Sequence, residues 1–464
     1  MDLIYLSAKQ IAKMIKLGKI SSEEIVKEQL KRIEKINPKL NGMVKINEKV
    51  LDEARKYDKY RAEGNILGPL HGIPITIKDS FNTKDITTTY GTLGKKNYIP
   101  NYDATVVDKL KKAGAIILGK TNTPELTLIF ETDNLVYGKT NNPYDINKTP
   151  GGSSGGEAAM ISSGGSYIGL GSDTGGSIRL PAHFCGLAGL KPTVGRVSRY
   201  GHIVGFGGLL DSLTQIGPLA RYVEDLSLVF NVINGYDYKD PSTIDMEVRD
   251  YKSVDLNSLN GAYFIDNKIM TPTNDIKDTL KSVVKYLEGK VNNISLHRPE
   301  NISNIDKLYG RIFSADGGKW IRDTINRLET KKVHPSLKWA FDTEKNSNLS
   351  VSKYSELIKD LDQLKLKMEK FLNRYDFLIC PVNAKPAIEH GETLNRENRK
   401  SFSYTKLFNL TGNPVVVVRA GTSKEKLPIG VQIISRKYRE DICLKVAYEI
   451  EKNISGWKEP NIQG

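Results

Sequence analysis

The chain has 464 residues, 39% hydrophobic and 26% charged, with a net charge of +14. That balance suits a globular protein with a large core and excludes a disordered or low-complexity chain. Lys and Arg are scattered, and short groups such as Lys331-Lys332 and Lys365-Leu366-Lys367 are bounded by uncharged or apolar residues, so the charge reads as a solvated surface and no nucleic-acid partner is expected.

The three cysteines, Cys185, Cys380 and Cys443, form no CxxC pair, which argues against a disulfide framework or a zinc site and fits a reducing cytoplasm. No run approaches the roughly 18 apolar residues of a membrane span. Met1-Asp2-Leu3-Ile4-Tyr5 lacks the basic start of a signal peptide.

In chain order, Ser21 and Glu24 form a capping-box pattern. Ile25, Val26, Leu30, Ile33 and Ile36 then recur at helical spacing, and Asn37-Pro38 is expected to stop that helix. From Leu67 strands and helices alternate. Ile73 to Ile77 reads as a strand, Asp103 as the cap of a helix carrying Val106, Val107, Leu110 and Ala113, and Ala115 to Leu118 as a buried strand. Between Thr149 and Gly217 the texture turns Gly- and Ser-rich, but apolar pieces at 158–161, 167–170 and 184–190 show that it is no linker. The stretch 236–344 is polar and helix-like and reads as a more variable helical or lid region. Phe377 to Pro381, Val415 to Val418 and Ile429 to Ile434 read as buried strands, with Asp441 to Glu451 as a closing amphipathic helix. The alternation predicts an α/β fold.

Three strings imitate known sites. Gly114 to Thr121 matches a P-loop, but its middle is an apolar strand and Thr123-Pro124 stands where the helix should start. Gly151-Gly152-Ser153-Ser154-Gly155 matches a nucleophile elbow, but the proline-bearing run 141–150 replaces the strand an elbow needs. None of the six histidines (71, 183, 202, 297, 334, 390) lies in an acid-histidine context, so each reads as structural or surface. A lysine after an apolar strand, Lys78, and two glycine-framed serines, Ser153 and Ser177, remain. Burial lowers a lysine pKa from about 10.4 toward neutrality, and a neutral amine is a usable base.

These residues resemble the amidase signature family. The likeness is carried by 151–156, by Gly171-Ser172-Asp173-Thr174-Gly175-Gly176-Ser177-Ile178-Arg179, by Cys185 to Thr193 and by Gly119 to Glu125. It covers the N-terminal half to about Gly235 and resumes over 375–434. The resemblance implies one domain over 1–464, a central mixed β-sheet between layers of α-helices. It implies Lys78 as base, Ser153 (after a cis peptide bond) as shuttle and Ser177 as nucleophile. It also implies an oxyanion hole from the backbone N–H groups of Thr174, Gly175, Gly176 and Ser177. Asp173 and Arg179 flank the nucleophile loop and either pair across it or leave Arg179 at the surface, and Ser154 is expected to support the relay or cap the helix starting near Gly155. No metal or cofactor is expected. The partner is a small-molecule amide, and family members are often homodimers.

Within the family, Leu180 and Phe402 stand where the A subunit of the tRNA-dependent amidotransferase tends to have Gln and an acid. Glu131 to Asn134 is similar to stand-alone amidases. The expectation is therefore a stand-alone amidase, and the alternative is the glutaminase A subunit. Parts of 301–344 and 383–392 are expected to shape the acyl pocket.

Overall fold

The computed structural model describes residues 2–205, 208–341 and 349–462. The last part of the 236–344 region, from 342 on, lies outside the described residues. Eleven strands form one mixed sheet among these residues. They are β1 (Met43–Ile46), β2 (Pro74–Lys78), β3 (Ile116–Thr121), β4 (Ile168–Asp173), β5 (Ala188–Lys191), β6 (Gln215–Ala220), β7 (Asn260–Tyr263), β8 (Asn293–Leu296), β9 (Phe377–Pro381), β10 (Val415–Thr422) and β11 (Pro428–Ser435). Their order is β1-β3-β2-β4-β6-β5-β10-β11-β9-β7-β8. β2 runs parallel to both β3 and β4, and β7 runs parallel to β8 and β9, while the middle of the sheet is antiparallel.

Alternation along the strands explains the layers. Ile75 and Ile77, Val416 and Val418, and Val431 and Ile433 face one cluster with helices Ala8–Lys16, Val223–Ile233 and Glu440–Asn453. Their neighbours turn the other way: Val417 meets Ala158, Ile161 and Ala182 of the helices Gly155–Ser162 and Arg179–Phe184. Burying both faces accounts for the continuous Val run in β10 and the Val/Ile-rich β11. Gly169 in β4 is what lets the helix Gly155–Ser162 lie so close, because a Cβ there would fall 1.8 Å from Glu157 Oε2.

Two boundaries differ from expectation. The first long helix runs Ser22–Leu40, through Pro38, and ends on Asn41 in the left-handed region at φ 49°. Pro38 removes a single intrahelical bond close to the end, where few remain to lose. Asp103 does not cap the next helix, which is Thr105–Lys112; its carboxylate instead accepts from the Lys84 N–H at 2.7 Å and pairs with Lys111 at 2.8 Å. The 236–344 region also supplies β7 and β8, which extend the sheet edge. No described helix is long and apolar enough to cross a membrane.

Candidate active site

The C-terminal ends of the parallel strands β2, β3 and β4 lie together, bringing Lys78, Thr121 and Asp173 to one edge. Such an edge is where open α/β sheets place their chemistry. Thr76 and Lys78 alternate with the core residues Ile75 and Ile77, so they face the helix Gly155–Ser162, and Thr76 Oγ1 bonds Glu157 Oε2 at 2.5 Å. Lys78 is fully buried; its Nζ lies 2.7 Å from Ser153 Oγ and 3.0 Å from Ser172 Oγ. Burial drives its pKa down to about 7 against the opposing pull of Asp173 and Glu157.

Ser153 follows a cis peptide bond from Gly152, just before the helix Gly155–Ser162. The Ser153 carbonyl accepts from Thr123 Oγ1 at 3.0 Å. Ser177 sits on the turn between β4 and the helix Arg179–Phe184, 6% exposed, and its carbonyl accepts from the Ser154 N–H at 3.2 Å. This backbone bond ties the two serine loops together. No hydrogen bond joins the Ser153 and Ser177 hydroxyls among the described residues.

Asp173 and Arg179 brace the turn that carries Ser177. Both are wholly buried, with Arg179 Nη2 2.9 Å from Asp173 Oδ1 and Nε 2.9 Å from Oδ2. Burial works against ionising Asp173, yet the Arg179 charge and the bonds from Arg179 and Asn409 outweigh it and hold the carboxyl well below its usual range. Arg179 also donates to the Thr405 carbonyl at 2.8 Å and to Asn409 Oδ1 at 2.6 Å, which locks the turn onto the helix Ser403–Thr411.

Of the expected oxyanion donors, the Gly176 N–H is given to Asp173 Oδ1 at 2.8 Å. Gly176 has a different use: its φ is 137°, and a Cβ there would fall 2.5 Å from Thr405 Oγ1. Ser154 occupies the N-cap of the helix Gly155–Ser162 without a capping bond from its side chain, and Thr132 Oγ1 accepts the Gly155 N–H at 3.1 Å instead. The Ser154 hydroxyl donates to the Ser172 carbonyl at 3.4 Å, a backbone atom outside the relay.

Sequence reasoning missed Ser172 as a partner of Lys78, and His202, whose Nε2 lies 3.0 Å from Ser172 Oγ. It also missed Glu157, whose carboxyl burial pushes up to about 8. Ser172 lies inside the glycine-rich motif, where its neighbours drew the attention; His202 lies in no motif. Of the region 301–344, Tyr309 reaches the site, donating to the Thr174 carbonyl at 3.1 Å. The loop 383–392 binds Glu131, with the Gly391 N–H and His390 Nδ1 each 3.0 Å from Oε1. The lysine of the P-loop string, Lys120, is buried and bonded to Thr83 and Thr88 at 3.0 and 3.2 Å, a structural cation near Asp79.

The amidase family model matches residues 24–444. The chain belongs to the amidase family. As a family member it is a hydrolase acting on C–N amide bonds. The A subunit of glutamyl-tRNA(Gln) amidotransferase from Carboxydothermus hydrogenoformans is 36% identical, over 98% of each chain. Among solved structures, a fatty acid amide hydrolase superposes with a TM-score of 0.86 at 27% identity, over 97% of this chain and 85% of its own. The corresponding glutamyl-tRNA(Gln) amidotransferase chain from Thermotoga maritima gives 0.82 at 26% identity, over 100% and 99%. Full-length likeness to curated amidotransferase chains favours the amidotransferase alternative over the stand-alone expectation.

Proposed function

We propose that this amidase cleaves a small-molecule carboxamide through an acyl-enzyme on Ser177. The observation that carries the reading is the buried Lys78, 2.7 Å from Ser153 Oγ and with a pKa near 7. Lys78 takes the Ser153 proton, Ser153 takes the Ser177 proton, and Ser177 Oγ attacks the amide carbon. Hydroxyl contacts of this kind often tighten only when substrate is bound. The N–H groups of Gly175 and Ser177, with that of Thr174, are the donors assigned to the tetrahedral oxyanion. Return of the proton through Ser153 releases the amine or ammonia, and water, deprotonated by the same relay, frees the acid.

The relatives support glutamine as the amide and a place as the glutaminase component of a tRNA-dependent amidotransferase. One observation favours the stand-alone reading. Leu180 and Phe402 are buried together with Phe184, Ala387 and Leu427, and Phe402 lies against Phe130 with ring centroids 4.4 Å apart. Packed there, positions 180 and 402 supply neither the Gln nor the acid expected of the amidotransferase subunit. Both readings go with a cytoplasmic enzyme.

The test is release of ammonia or amine from a panel of amides including glutamine, by the chain alone and then with the other amidotransferase components and tRNA. Ser177→Ala is expected to lose activity by about 10⁴-fold or more. Glutamine turnover only in the assembled complex identifies the amidotransferase component, turnover of simple amides by the chain alone identifies a stand-alone enzyme, and full activity of Ser177→Ala overturns the mechanism.

A further inference from the structure

His202 is a buried imidazole that the proposed relay does not use, and its placement is over-determined. Its backbone bridges that of Phe81, three residues beyond Lys78, and the two rings lie 4.7 Å apart. Next to it, the Ile203 N–H donates to the Ser80 carbonyl at 3.0 Å, and the Phe81 N–H donates to the Lys78 carbonyl at 3.2 Å. The imidazole is thus fastened to the turn that follows the lysine.

The hydrogen bonds fix its tautomer. The Val204 N–H donates to His202 Nδ1 at 3.2 Å, so Nδ1 is the acceptor nitrogen. The neutral ring therefore carries its proton on Nε2 and donates it to Ser172 Oγ, 3.0 Å away. Burial holds the imidazole in that neutral form, with the positive charges of Arg199 and Lys120 acting in the same direction.

We propose that His202 is a positioning residue for the base: its Nε2–H holds Ser172 so that Lys78 stays an amine with its lone pair available to Ser153. With one lone pair of Ser172 Oγ occupied by the imidazole, Ser172 offers Lys78 its other lone pair or its O–H. An amine uses either; an ammonium uses only the lone pair, which the ring N–H has made a weaker acceptor. The ammonium would also have three protons to place, and the hydrogen-bonding oxygens at Nζ are those of Ser153 and Ser172. Around this pair the charged and titratable groups are Glu157 from the helix Gly155–Ser162, Asp173 at the end of β4, Lys120 on β3 with Asp79 beside it, and Arg199. The Asp173 carboxylate favours the ammonium, as Glu157 does once it is ionised, so the donor chain from His202 opposes them.

The inference rests on Lys78 being the base, and its test separates the two. The readout is the pH dependence of the rate at which a fluorophosphonate labels Ser177, which needs no knowledge of the natural amide. Replacing the imidazole by an apolar group, His202→Leu, is expected to move the acid limb up by about one pH unit, the worth of one hydrogen bond. His202→Gln, whose amide N–H reaches the position of Nε2, is expected to restore the wild-type limb; His202→Asn, which stops short of it, is expected to shift like Leu. A loss of folding would lower labelling at every pH without moving the limb, and if His202→Leu does not fold, the Gln and Asn pair decides. Unshifted limbs in Leu and Asn, with Lys78→Ala inert, overturn the role of His202 alone. Labelling of Lys78→Ala at the wild-type rate overturns the base assignment beneath it.

Discussion

Lys78 Nζ and Ser153 Oγ stand 2.7 Å apart in a site where the lysine side chain has no contact with water. Among the described residues no carboxylate lies at hydrogen-bond distance to neutralise an ammonium, and burial brings the pKa down to about 7. In the proposed relay the amine is the working form, so the rate should rise with pH through about 7 and fall about tenfold per unit below it. A kcat/KM profile from pH 5 to 9 checks this. Lys78→Arg should be inactive throughout, because a guanidinium does not deprotonate in this range.

The Asp173–Arg179 pair makes a second expectation. Asp173→Asn leaves the Arg179 charge buried among neutral partners: the one amide oxygen of the new side chain, Asn409, Gln432 and the Thr405 carbonyl. Breaking a buried pair from one side costs about 3–5 kcal/mol. Thermal unfolding should show a large drop in Tm, and activity should fall with it because an amide NH2 replaces one of the two carboxylate oxygens that accept from the Gly176, Ile178 and Arg179 N–H groups of the turn. The folded pKa of Asp173 is depressed, so its contribution is complete above the unfolded value of about 4 and is lost as pH falls below it. Wild type and Asp173→Asn should therefore converge in stability in acid and differ most at neutral pH.

Much of this site was legible in the sequence because glycine and serine stand where backbone must come close, and because an apolar strand ended in a lysine. The relation of Ser172 and His202 to that lysine was not. It depends on a backbone bridge between Phe81 and His202, more than a hundred residues apart, which no local pattern announces. β7 and β8 escaped for a different reason: four residues such as Asn260-Gly261-Ala262-Tyr263 carry too little alternation to signal a strand, and pairing with β9 makes one of them. Pro38 shows the reverse, a breaker that tertiary packing overrides near a helix end.

Gly176→Ala tests the packing of the nucleophile turn. The left-handed φ of 137° and the approach of Thr405 Oγ1 to 2.5 Å from a built Cβ both oppose any side chain. The variant should lose more than about 1 kcal/mol of stability in denaturant titration. Thr405→Ala in the same chain relieves only the contact, so it should recover part of the loss and leave the part due to φ.

Glu157 supplies the clearest pH test of stability. Its carboxyl, bonded to Thr76 and sealed under the sheet, has a pKa raised to about 8 by burial. In the unfolded chain the same group ionises near 4.3. Between those values the folded state holds a proton that the unfolded state has lost, so wild-type stability declines as pH rises from about 4 to about 8 and levels off above. Glu157→Gln keeps a neutral, hydrogen-bonding side chain at every pH and removes that slope. Chemical unfolding of the two proteins at pH 5, 7 and 9 should show the variant gaining on wild type up to about pH 8. A constant difference across the series would mean that Glu157 is ionised beside Lys78 in the folded enzyme.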